Sequence, residues 1–335
     1  MTRLANKCIC CGGSTEIHID RIWDDRYGCP GIFSVMRCIN CGQMQTTPPL
    51  EEGDLPSLYS TYYPRREVDY VAIQREASLV NQPGAPLKRW LAGTNNQGHY
   101  LARPGQRVLD IGSGSCISLL ELRNLGVTAY GVEADPNVKE IATHYKLNVH
   151  IGNIYDQPFP DVAFDLITLN QVIEHVPDPE ALLSTVYDRL AKNGRLVLSF
   201  PNGNSLARLL CGTHWINWHV PYHQHFFNRR SIGILAARCG YRVTEIRSVT
   251  PNLWTVLQLR ALKAAPEEGQ ASPAWSASAI QVYGPVSFSK RLRTAFMHRT
   301  RRLLTPLIAT ANRLVDMTGF GDSLIVHLER AESRS

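Results

Sequence analysis

The sequence predicts an α/β protein with a doubly wound, mostly parallel Rossmann-like sheet, and three observations predict it. An apolar run at 107–111 ends in a glycine-rich turn. A second apolar run at 129–133 ends in an acid. Further short apolar runs then alternate with helix-like segments as far as residue 201. Strands that alternate with helices in this way favour a parallel sheet with helices on both faces.

The first unit is a strand, a tight turn and a helix. Gly112 and Gly114 form the turn, where a backbone without Cβ atoms can pass close to a ligand. Asp110 stands at the carboxyl end of the strand, where a carboxylate can face a cation or an amine. A leucine-rich helical pattern follows and ends before Gly126. No phosphate-binding P-loop spacing is present, because no Gly-Lys-Ser/Thr follows the turn.

Polar residues follow the later predicted strands. Those strands are expected at 129–133, 149–152, 164–169 and 195–200, with helices at 137–145 and from Asp178 to about residue 193. The residues after their ends are Glu133, Asn153, Asn170, Gln171, Glu174, His175 and Asn202. Ligands of such sheets bind outside the carboxyl ends of the strands, so these residues mark the predicted binding edge. Two last strands, at 241–249 and 323–329, are separated by a long insertion.

These motifs resemble those of class I S-adenosylmethionine (SAM) methyltransferases over roughly residues 100–250. The similar stretches are Val108-Leu-Asp-Ile-Gly-Ser-Gly114, Gly131-Val-Glu133, Gly152-Asn153, Phe164-Asp-Leu-Ile167 and Glu174-His-Val-Pro-Asp-Pro179. The resemblance implies that the glycine turn packs against the methionine part of SAM, with Asp110 near its amino group and Glu133 on both ribose hydroxyls. The implied cofactor-binding residues are Asp110, Gly112, Ser113, Gly114, Glu133, Ala134, Asn153, Ile154, Asn170, Gln171 and Tyr63.

Two positions depart from that family's pattern. Asn153 stands where the family usually has an aspartate that accepts from the adenine amino group, and Cys116 replaces a third glycine. We expect Asn153 to accept through its side-chain oxygen instead. A hydride-transferring Rossmann enzyme is the alternative, since it also uses a glycine turn and a ribose-binding acid. The stretch 174–179 and the strand end at Pro201-Asn202 favour the methyltransferase.

Four amino-terminal cysteines predict a structural zinc site. Two CxxCG knuckles provide the ligands Cys8, Cys11, Cys38 and Cys41, whereas Cys10 and Cys29 break the paired spacing and remain substitutes. The first residues lack the apolar core of a secretory signal, which predicts a cytoplasmic protein. Cytosolic chains rarely keep disulfides, so a metal is favoured over disulfides or free thiols.

The ribbon also resembles part of two groups of methyltransferases that combine it with this fold. One group methylates ribosomal RNA, and the other methylates sugars, at carbon or oxygen, in antibiotic and polysaccharide pathways. In the second group a tyrosine-rich segment follows the ribbon, as Leu58-Tyr59-Ser-Thr-Tyr62-Tyr63-Pro64 does here. This resemblance implies a sugar or lipid-linked glycan acceptor. The tyrosines either line the active site or pack a connecting segment against the sheet.

Histidines after the fifth predicted strand are candidates for the catalytic base. Methyl transfer from a sulfonium is an in-line displacement in which the acceptor must be oriented and must lose a proton. His223 is the first choice, since Pro221-x-His223-x-x-x-Phe227 resembles a pattern of the sugar-methylating relatives, and His225 and His219 are alternatives. His175 could be a second acid or base. Glu174 and His175 could instead ligate a divalent ion, as a similar pair does in quinone-pathway O-methyltransferases, or could only order the loop.

The predicted organisation has four parts. Residues 1–50 form the zinc ribbon, 51–100 a helical linker, 101–250 with 321–331 the SAM-binding domain, and 251–320 a basic helical insertion. The insertion concentrates much of the net charge of +6 and combines it with leucines. It could therefore contact an anionic membrane at its inner face through 288–315, bind RNA, form a homodimer interface, or pack on the core. No apolar run is long enough to span a membrane.

Two other functions remain open. The first is an RNA methyltransferase guided by the ribbon, although no Asn/Asp-Pro-Pro-Tyr motif follows the fourth strand and the ribbon has nearly balanced charge. The second is a SAM-fold scaffold without turnover. Intact Asp110, Gly112, Gly114 and Glu133 favour retained cofactor binding.

Overall fold

The computed structural model describes residues 7–51, 53–54, 58, 60–62, 68–264, 266–275 and 305–331. Its strands are β1 (Thr15–Ile22), β2 (Phe33–Cys38), β3 (Met44–Thr47), β4 (Arg107–Ile111), β5 (Thr128–Glu133), β6 (Asn148–Ile151), β7 (Phe164–Asn170), β8 (Leu190–Pro201), β9 (His225–Phe226), β10 (Tyr241–Val249) and β11 (Ser323–Arg330). Its helices include α1 (Tyr70–Ser78), α2 (Ala85–Ala92), α3 (Ile117–Asn124), α4 (Val138–Tyr145), α5 (Pro179–Arg189), α6 (Leu206–Cys211), α7 (Arg229–Arg238), α8 (Asn252–Ala261) and α9 (305–317).

Seven strands form the central sheet in the order β10-β11-β8-β7-β4-β5-β6. The strands from β4 to β8 pair in parallel, whereas β11 runs antiparallel to both of its neighbours. The chain goes from β4 to β5 on one side and returns to β7 on the other, so the strand order reverses at β4. A crevice opens at such a reversal and binds ligands outside the carboxyl ends. The predicted doubly wound, mostly parallel sheet is therefore confirmed.

Alternation along the strands divides the core between the two faces of this sheet. Leu109, Ile167 and Leu198 belong to one apolar cluster, with side chains of α5 and α7. Their chain neighbours Val108 and Leu166 belong to a second cluster, with side chains of α1, α3 and α4. Successive side chains of a strand point to opposite faces, so continuous apolar strands require cover on both sides.

The amino-terminal strands are joined to the α/β part by a second sheet. Its order is β1-β2-β3-β9, and β9 comes from the segment that follows α6. Met44 pairs with Phe226 and Gln45 with His225. An Nη1 group of Arg238 donates to the carbonyl of Ile9 at 2.8 Å. The ribbon is thus held against the sheet-and-helix part, and the predicted boundary at residue 50 stays a prediction.

The insertion is described at its two ends. Helix α8 and helix α9 meet through Thr255 and Asn312, whose side chains are 3.1 Å apart. Residues 276–304, which include the basic residues between Lys290 and Arg302, lie outside the described residues. The membrane contact predicted for 288–315 therefore stays a prediction. Within the part of the chain that is described, no helix combines the length and apolar character needed to cross a membrane.

Candidate active site

Asp110 lies buried at the carboxyl end of β4, at the point where the strand order reverses. Its Oδ1 accepts hydrogen bonds from Thr168 Oγ1 at 2.6 Å and Asn170 Nδ2 at 3.3 Å. Its Oδ2 accepts from Ser118 Oγ at 2.5 Å. A carboxylate has about four lone-pair sites, so Oδ2 retains room for one more donor. The sequence predicted Asp110 and Asn170 but missed Thr168 and Ser118, whose contacts depend on strand pairing and on the turn of α3.

The glycine turn has the backbone that its sequence predicts. Gly112 and Gly114 have φ of 75° and 51°, in the left-handed region that favours glycine. A Cβ at Gly112 would lie 2.5 Å from Cγ2 of Val172, whereas a Cβ at Gly114 would meet open space. Cys116, at the third glycine position of the resemblance, also has a left-handed φ of 60°. The turn is therefore closed on the Val172 side and open at Gly114, where a ligand can approach the backbone.

Glu133 lies against this turn although α3 and the rest of β5 separate the two in sequence. Its Oε2 accepts from the amide of Gly114 at 2.7 Å, and its Oε1 accepts from the amide of Asp135 at 3.0 Å. Each oxygen keeps a further lone pair. The carboxylate is thus fixed beside the open part of the turn, with acceptor capacity for hydroxyl donors.

Asn153 differs from its expected role. Its Oδ1 accepts from the amides of Tyr155 at 2.8 Å and Asp156 at 3.2 Å, and Asp156 in turn accepts from the amide of Asn153 at 3.0 Å. This reciprocal cap occupies both lone pairs of the oxygen that was expected to face the adenine amino group. The donor Nδ2 is the polar group of the side chain that the cap does not use.

The other residues predicted to bind the cofactor are distributed around the same edge. Ser113 and Ile154 are buried, and Ala134 is exposed directly after β5. Gln171 follows β7 with a left-handed φ of 56° and donates its amide to the carbonyl of Ser199 at 2.8 Å. Tyr63 lies outside the described residues.

Three histidines, of which His219 and His223 are buried and His175 is half-buried, form a cluster with buried Glu174 beyond the carboxyl end of β7. The ring centroid of His223 lies 4.6 Å from that of His175 and 4.9 Å from that of His219. Neither carboxyl oxygen of Glu174 has a hydrogen-bond partner among the described residues, and the side chain is buried. The cluster adjoins the glycine turn, because Val172 touches Gly112 and its carbonyl accepts from the amide of His175 at 2.9 Å.

Backbone carbonyls orient two of the imidazoles. Nδ1 of His175 lies 3.0 Å from the carbonyl oxygen of Tyr222, and Nδ1 of His223 lies 2.8 Å from that of Asn217. A carbonyl only accepts, so each Nδ1 carries the proton and each Nε2 carries the lone pair. One ligand atom each from Glu174, His175 and His223 lies within 4.8 Å of the others. The trio can accept a proton or hold a divalent cation, and histidine ligands are commonly oriented in this way.

Burial sets the charges of the cluster. It lowers the pKa of His175 to about 4 and holds the pKa of His223 and His219 well below the usual value of an imidazole. Burial also raises the pKa of the Glu174 carboxyl to about 8. At neutral pH and without a cation, the imidazoles are therefore uncharged and Glu174 is largely protonated. Uncharged imidazoles accept protons, and a protonated carboxyl can donate a hydrogen bond.

His225 lies beside this trio but makes different contacts. It belongs to β9, its amide donates to the carbonyl of Glu174 at 3.1 Å, and its ring packs 5.7 Å from that of Phe227. Burial lowers the pKa of its imidazole to about 4. The structure therefore brings together His175, His223 and Glu174, with His219 beside them, and places His225 in the strand that joins the ribbon.

A loop of the ribbon covers the cluster, which sequence reasoning missed. The ring of Tyr27 lies edge-on to those of His219 and Tyr222, at 5.5 and 5.7 Å. Arg26 carries a positive charge that helps to lower the pKa of His219. Asp24 shapes the loop by accepting from the amides of Arg26 at 2.9 Å and Tyr27 at 3.1 Å. The signal in the sequence is an aspartate that begins a short turn before a glycine.

The sequence of this part of the chain is similar to that of known proteins. Residues 85–246 match the family model described as a methyltransferase domain. This part of the chain is therefore similar to a methyltransferase domain. The sheet order and this match confirm the predicted fold of class I SAM-dependent methyltransferases.

Two curated relatives that match part of this chain are both named ubiquinone biosynthesis O-methyltransferases. The mitochondrial ubiquinone biosynthesis O-methyltransferase of Schizosaccharomyces pombe is 33% identical over 115 residues, which cover 32% of this chain and 42% of that protein. The ubiquinone biosynthesis O-methyltransferase of Pseudomonas entomophila is 26% identical over 161 residues, 44% of this chain and 69% of that protein. The chain thus spans less than half the length of the first relative.

Among solved structures, a SAM-dependent methyltransferase from Archaeoglobus fulgidus is 19% identical, with a TM-score of 0.42. The similarity covers 78% of this chain and all of that one. A complex between the Haloferax volcanii Trm112 methyltransferase activator and a methyltransferase gives a TM-score of 0.44 at 16% identity, covering 80% and 100% of the two chains.

The four predicted cysteines meet at one point outside the methyltransferase domain. Cys8 Sγ lies 3.5 Å from Cys41 Sγ, and Cys11 Sγ lies 3.4 Å from Cys38 Sγ. A disulfide bond would need about 2.05 Å. Tetrahedral zinc–sulfur bonds of about 2.3 Å separate sulfurs by about 3.8 Å, so the four thiols fit a zinc ion after a small adjustment. Cys10 is buried beside this group, but its sulfur is not among the four that converge.

Proposed function

We propose that this protein transfers the methyl group of SAM to a hydroxyl oxygen of a small-molecule acceptor, and that the acceptor is a sugar. The observation that carries the proposal is the trio of buried Glu174, half-buried His175 and buried His223, which adjoins the glycine turn through Val172. A methyl acceptor must meet both the methyl donor and a group that takes its proton, and these two requirements coincide here.

The cofactor side of the proposal rests on fixed polar groups around the turn. Asp110 is held by three side-chain donors and keeps one acceptor position for the amino group of SAM. Glu133 keeps acceptor positions for the ribose hydroxyls. The open space at Gly114 admits the methionine part. SAM supplies an electrophilic methyl group when it is bound.

His223 acts as the base in this proposal. Its Nε2 lone pair would take the proton of the acceptor hydroxyl as the oxygen binds the methyl carbon, and the carbon–sulfur bond of SAM would break to leave S-adenosylhomocysteine. A histidine with a depressed pKa is a weak base, but the proton becomes far more acidic as the oxygen gains its methyl group. The protonated carboxyl of Glu174 orients the acceptor by donating a hydrogen bond. Its carbonyl oxygen can accept a hydrogen bond from the imidazolium that forms beside it, so Glu174 keeps its proton. His175 and His225 are the alternative bases.

A second candidate mechanism uses a divalent cation at the same trio. Both oriented imidazoles and the unpartnered carboxylate favour it, since a cation would stabilise ionised Glu174. A cation held there would lower the pKa of a hydroxyl that binds to it. Both curated relatives are named ubiquinone biosynthesis O-methyltransferases. The second acceptor class is therefore a molecule with a hydroxyl group on a ring, as in a quinone precursor.

The ribbon has a structural role in the proposal. Zinc held by Cys8, Cys11, Cys38 and Cys41 would keep the loop with Arg26 and Tyr27 over the histidines. A site with four thiolates has no open position, so no chemistry at the zinc is expected. The tyrosine-rich segment adds cover, because Tyr62 packs in the apolar group that contains Tyr222.

Methyl transfer from isotope-labelled SAM tests the proposal. The acceptors are nucleotide sugars, lipid-linked glycans, hydroxylated phenols and RNA, each with and without EDTA. We expect a labelled methyl ether on a sugar that persists in EDTA. Labelled phenol that requires a cation would replace the proposal by the second mechanism. Labelled RNA, with binding that weakens steeply with salt, would favour the ribbon-guided RNA enzyme, and SAM binding without any product would favour a scaffold.

A further inference from the structure

A second polar cleft lies at the same edge of the sheet, on the β10 side of the glycine turn. Its volume is about 700 Å³, which is within the range of small-molecule sites. It is lined by the end of β8, the start of α7, the end of β10, the turn after α9, and Trp90. The carboxyl ends of β7 and β8 are neighbours, and Asn228, which lines the cleft, lies five residues after His223 in the chain.

The lining of the cleft has an excess of positive charge. Arg229, Arg230, Arg247 and Arg313 oppose a single lining carboxylate, Asp316. Arg313 pairs with Asp316 at 2.7 Å, so their charges cancel. The ion pair of Arg247 with Glu245 is half-exposed and therefore weak. No carboxylate of the described residues lies within 4.0 Å of Arg229 or Arg230. The cleft thus presents about two to three uncompensated guanidinium groups, which suit a phosphate rather than a neutral ligand.

The rest of the lining indicates what is attached to that phosphate. Trp90, Met317 and Phe320 line the cleft, and 48%, 83% and 49% of their surface is exposed. Asn95 has a buried Oδ1 for which the described residues provide no donor. Large apolar side chains beside a basic floor fit a ligand with a phosphate at one end and a flat or apolar group next to it.

We propose that this cleft binds the diphosphate of the methyl acceptor, with the base or lipid attached to the diphosphate against Trp90 and Phe320. The proposal rests on the proposed function, since it makes the acceptor a sugar joined to a carrier through phosphate. A nucleotide sugar and a lipid-linked sugar share this chemistry. Arg230 and Arg247 hold the phosphates, and the sugar extends past residues 225–228 toward His223.

Calorimetry without turnover tests the cleft by itself. The probes are UDP-glucose, farnesyl diphosphate and inorganic pyrophosphate, titrated separately into the full chain at 150 mM salt. We expect one of the first two to bind, and we expect R230Q and R247Q each to weaken it about tenfold. R75Q removes an arginine of α1 that is also exposed, and it should change nothing. W90A should weaken the organic diphosphate but leave pyrophosphate unchanged.

Three results would overturn the proposal. They are the absence of millimolar binding by both organic diphosphates, equal affinity in R230Q and R75Q, and pyrophosphate binding as tight as that of the organic ligands. SAM affinity, measured on the same samples, separates this failure from that of the proposed function. Binding of SAM without binding of a diphosphate would refute only the proposal for the cleft. Binding of neither would refute both the cleft and the proposed function. The unfolding temperatures of the variants show whether each is folded.

Discussion

At the scale of the residue, Glu133 connects two backbone turns and the predicted ribose site. Its carboxylate accepts from the amides of Gly114 and Asp135, so one side chain fixes both the glycine turn and the end of β5. We expect Glu133→Ala to weaken SAM binding more than tenfold, because charge-assisted hydrogen bonds to the ribose and the order of the turn are both lost. Calorimetric titration of SAM measures this.

Glu140→Ala is the matched control, since Glu140 is an exposed glutamate of α4. Its SAM affinity should equal that of the wild type. Equal affinity in Glu133→Ala as well would remove the assignment of Glu133 to the ribose, provided that both variants unfold at similar temperatures.

His223 is the residue on which the proposed proton transfer depends. We expect His223→Ala to lower the rate of methyl transfer by about a hundredfold or more and to leave SAM affinity within twofold, because a base acts on the acceptor and not on the cofactor. Single-turnover transfer and SAM titration measure the two quantities. His214→Ala removes an exposed histidine of the same segment and should retain the rate. A near-normal rate in His223→Ala would move the base to His175 or His225.

At the scale of the element, the ribbon positions a loop over the active site. We expect Cys38→Ser to lose the bound zinc and to lower the unfolding temperature, since a folded four-cysteine site derives stability from its metal. Elemental analysis of protein purified without chelator, together with thermal unfolding, measures both. Cys211→Ser changes a cysteine outside the four and should keep one zinc per chain. Absence of zinc from the wild type would refute the assignment.

The histidine segment is itself fixed by the start of β11. Buried Asp322 accepts from Trp215 Nε1 at 2.8 Å and Asn217 Nδ2 at 3.2 Å, and Asn217 orients His223. Burial raises the pKa of the Asp322 carboxyl to about 6, so the folded state binds a proton that the unfolded state has lost between about pH 4 and 6. The stability that Asp322 contributes is therefore lost as pH rises through this window.

Asp322→Asn isolates that effect, because asparagine does not titrate. The difference in unfolding free energy, wild type minus variant, should fall by an amount on the order of a few kcal/mol from pH 4.5 to pH 7 and then remain level. Urea unfolding at each pH measures it. A difference that is constant with pH would show that Asp322 titrates normally in the folded protein.

At the scale of the whole molecule, the sequence predicted what local patterns encode. Strand β4, the glycine turn and Glu133 follow from apolar runs and glycine positions, and parallel strands then bring Asp110, Gln171 and Glu174 to one edge. The spacing of the two CxxC pairs likewise predicted that their four sulfurs lie close together. These features depend on spacing within a short stretch or on a general rule of sheet topology.

Other features depend on contacts between distant segments and could not be predicted. The cover of Tyr27 over His219 exists because β3 pairs with β9 and Thr46 donates to the carbonyl of His223 at 2.7 Å. No period in the sequence specifies that pairing. The role of Asn153 as the N-cap of the short 3-10 turn that follows it also could not be predicted. Asparagine serves both as a helix cap and as a ligand contact, so the residue type does not distinguish the two roles.

Calorimetric titration of SAM, and separately of S-adenosylhomocysteine, into the purified chain shows whether this fold binds the cofactor. We expect micromolar binding of both compounds, which is lost in Asp110→Ala and retained in Glu140→Ala. If neither compound binds to a folded wild-type protein, the cofactor assignment is contradicted, a scaffold role is favoured and the nicotinamide alternative is open again.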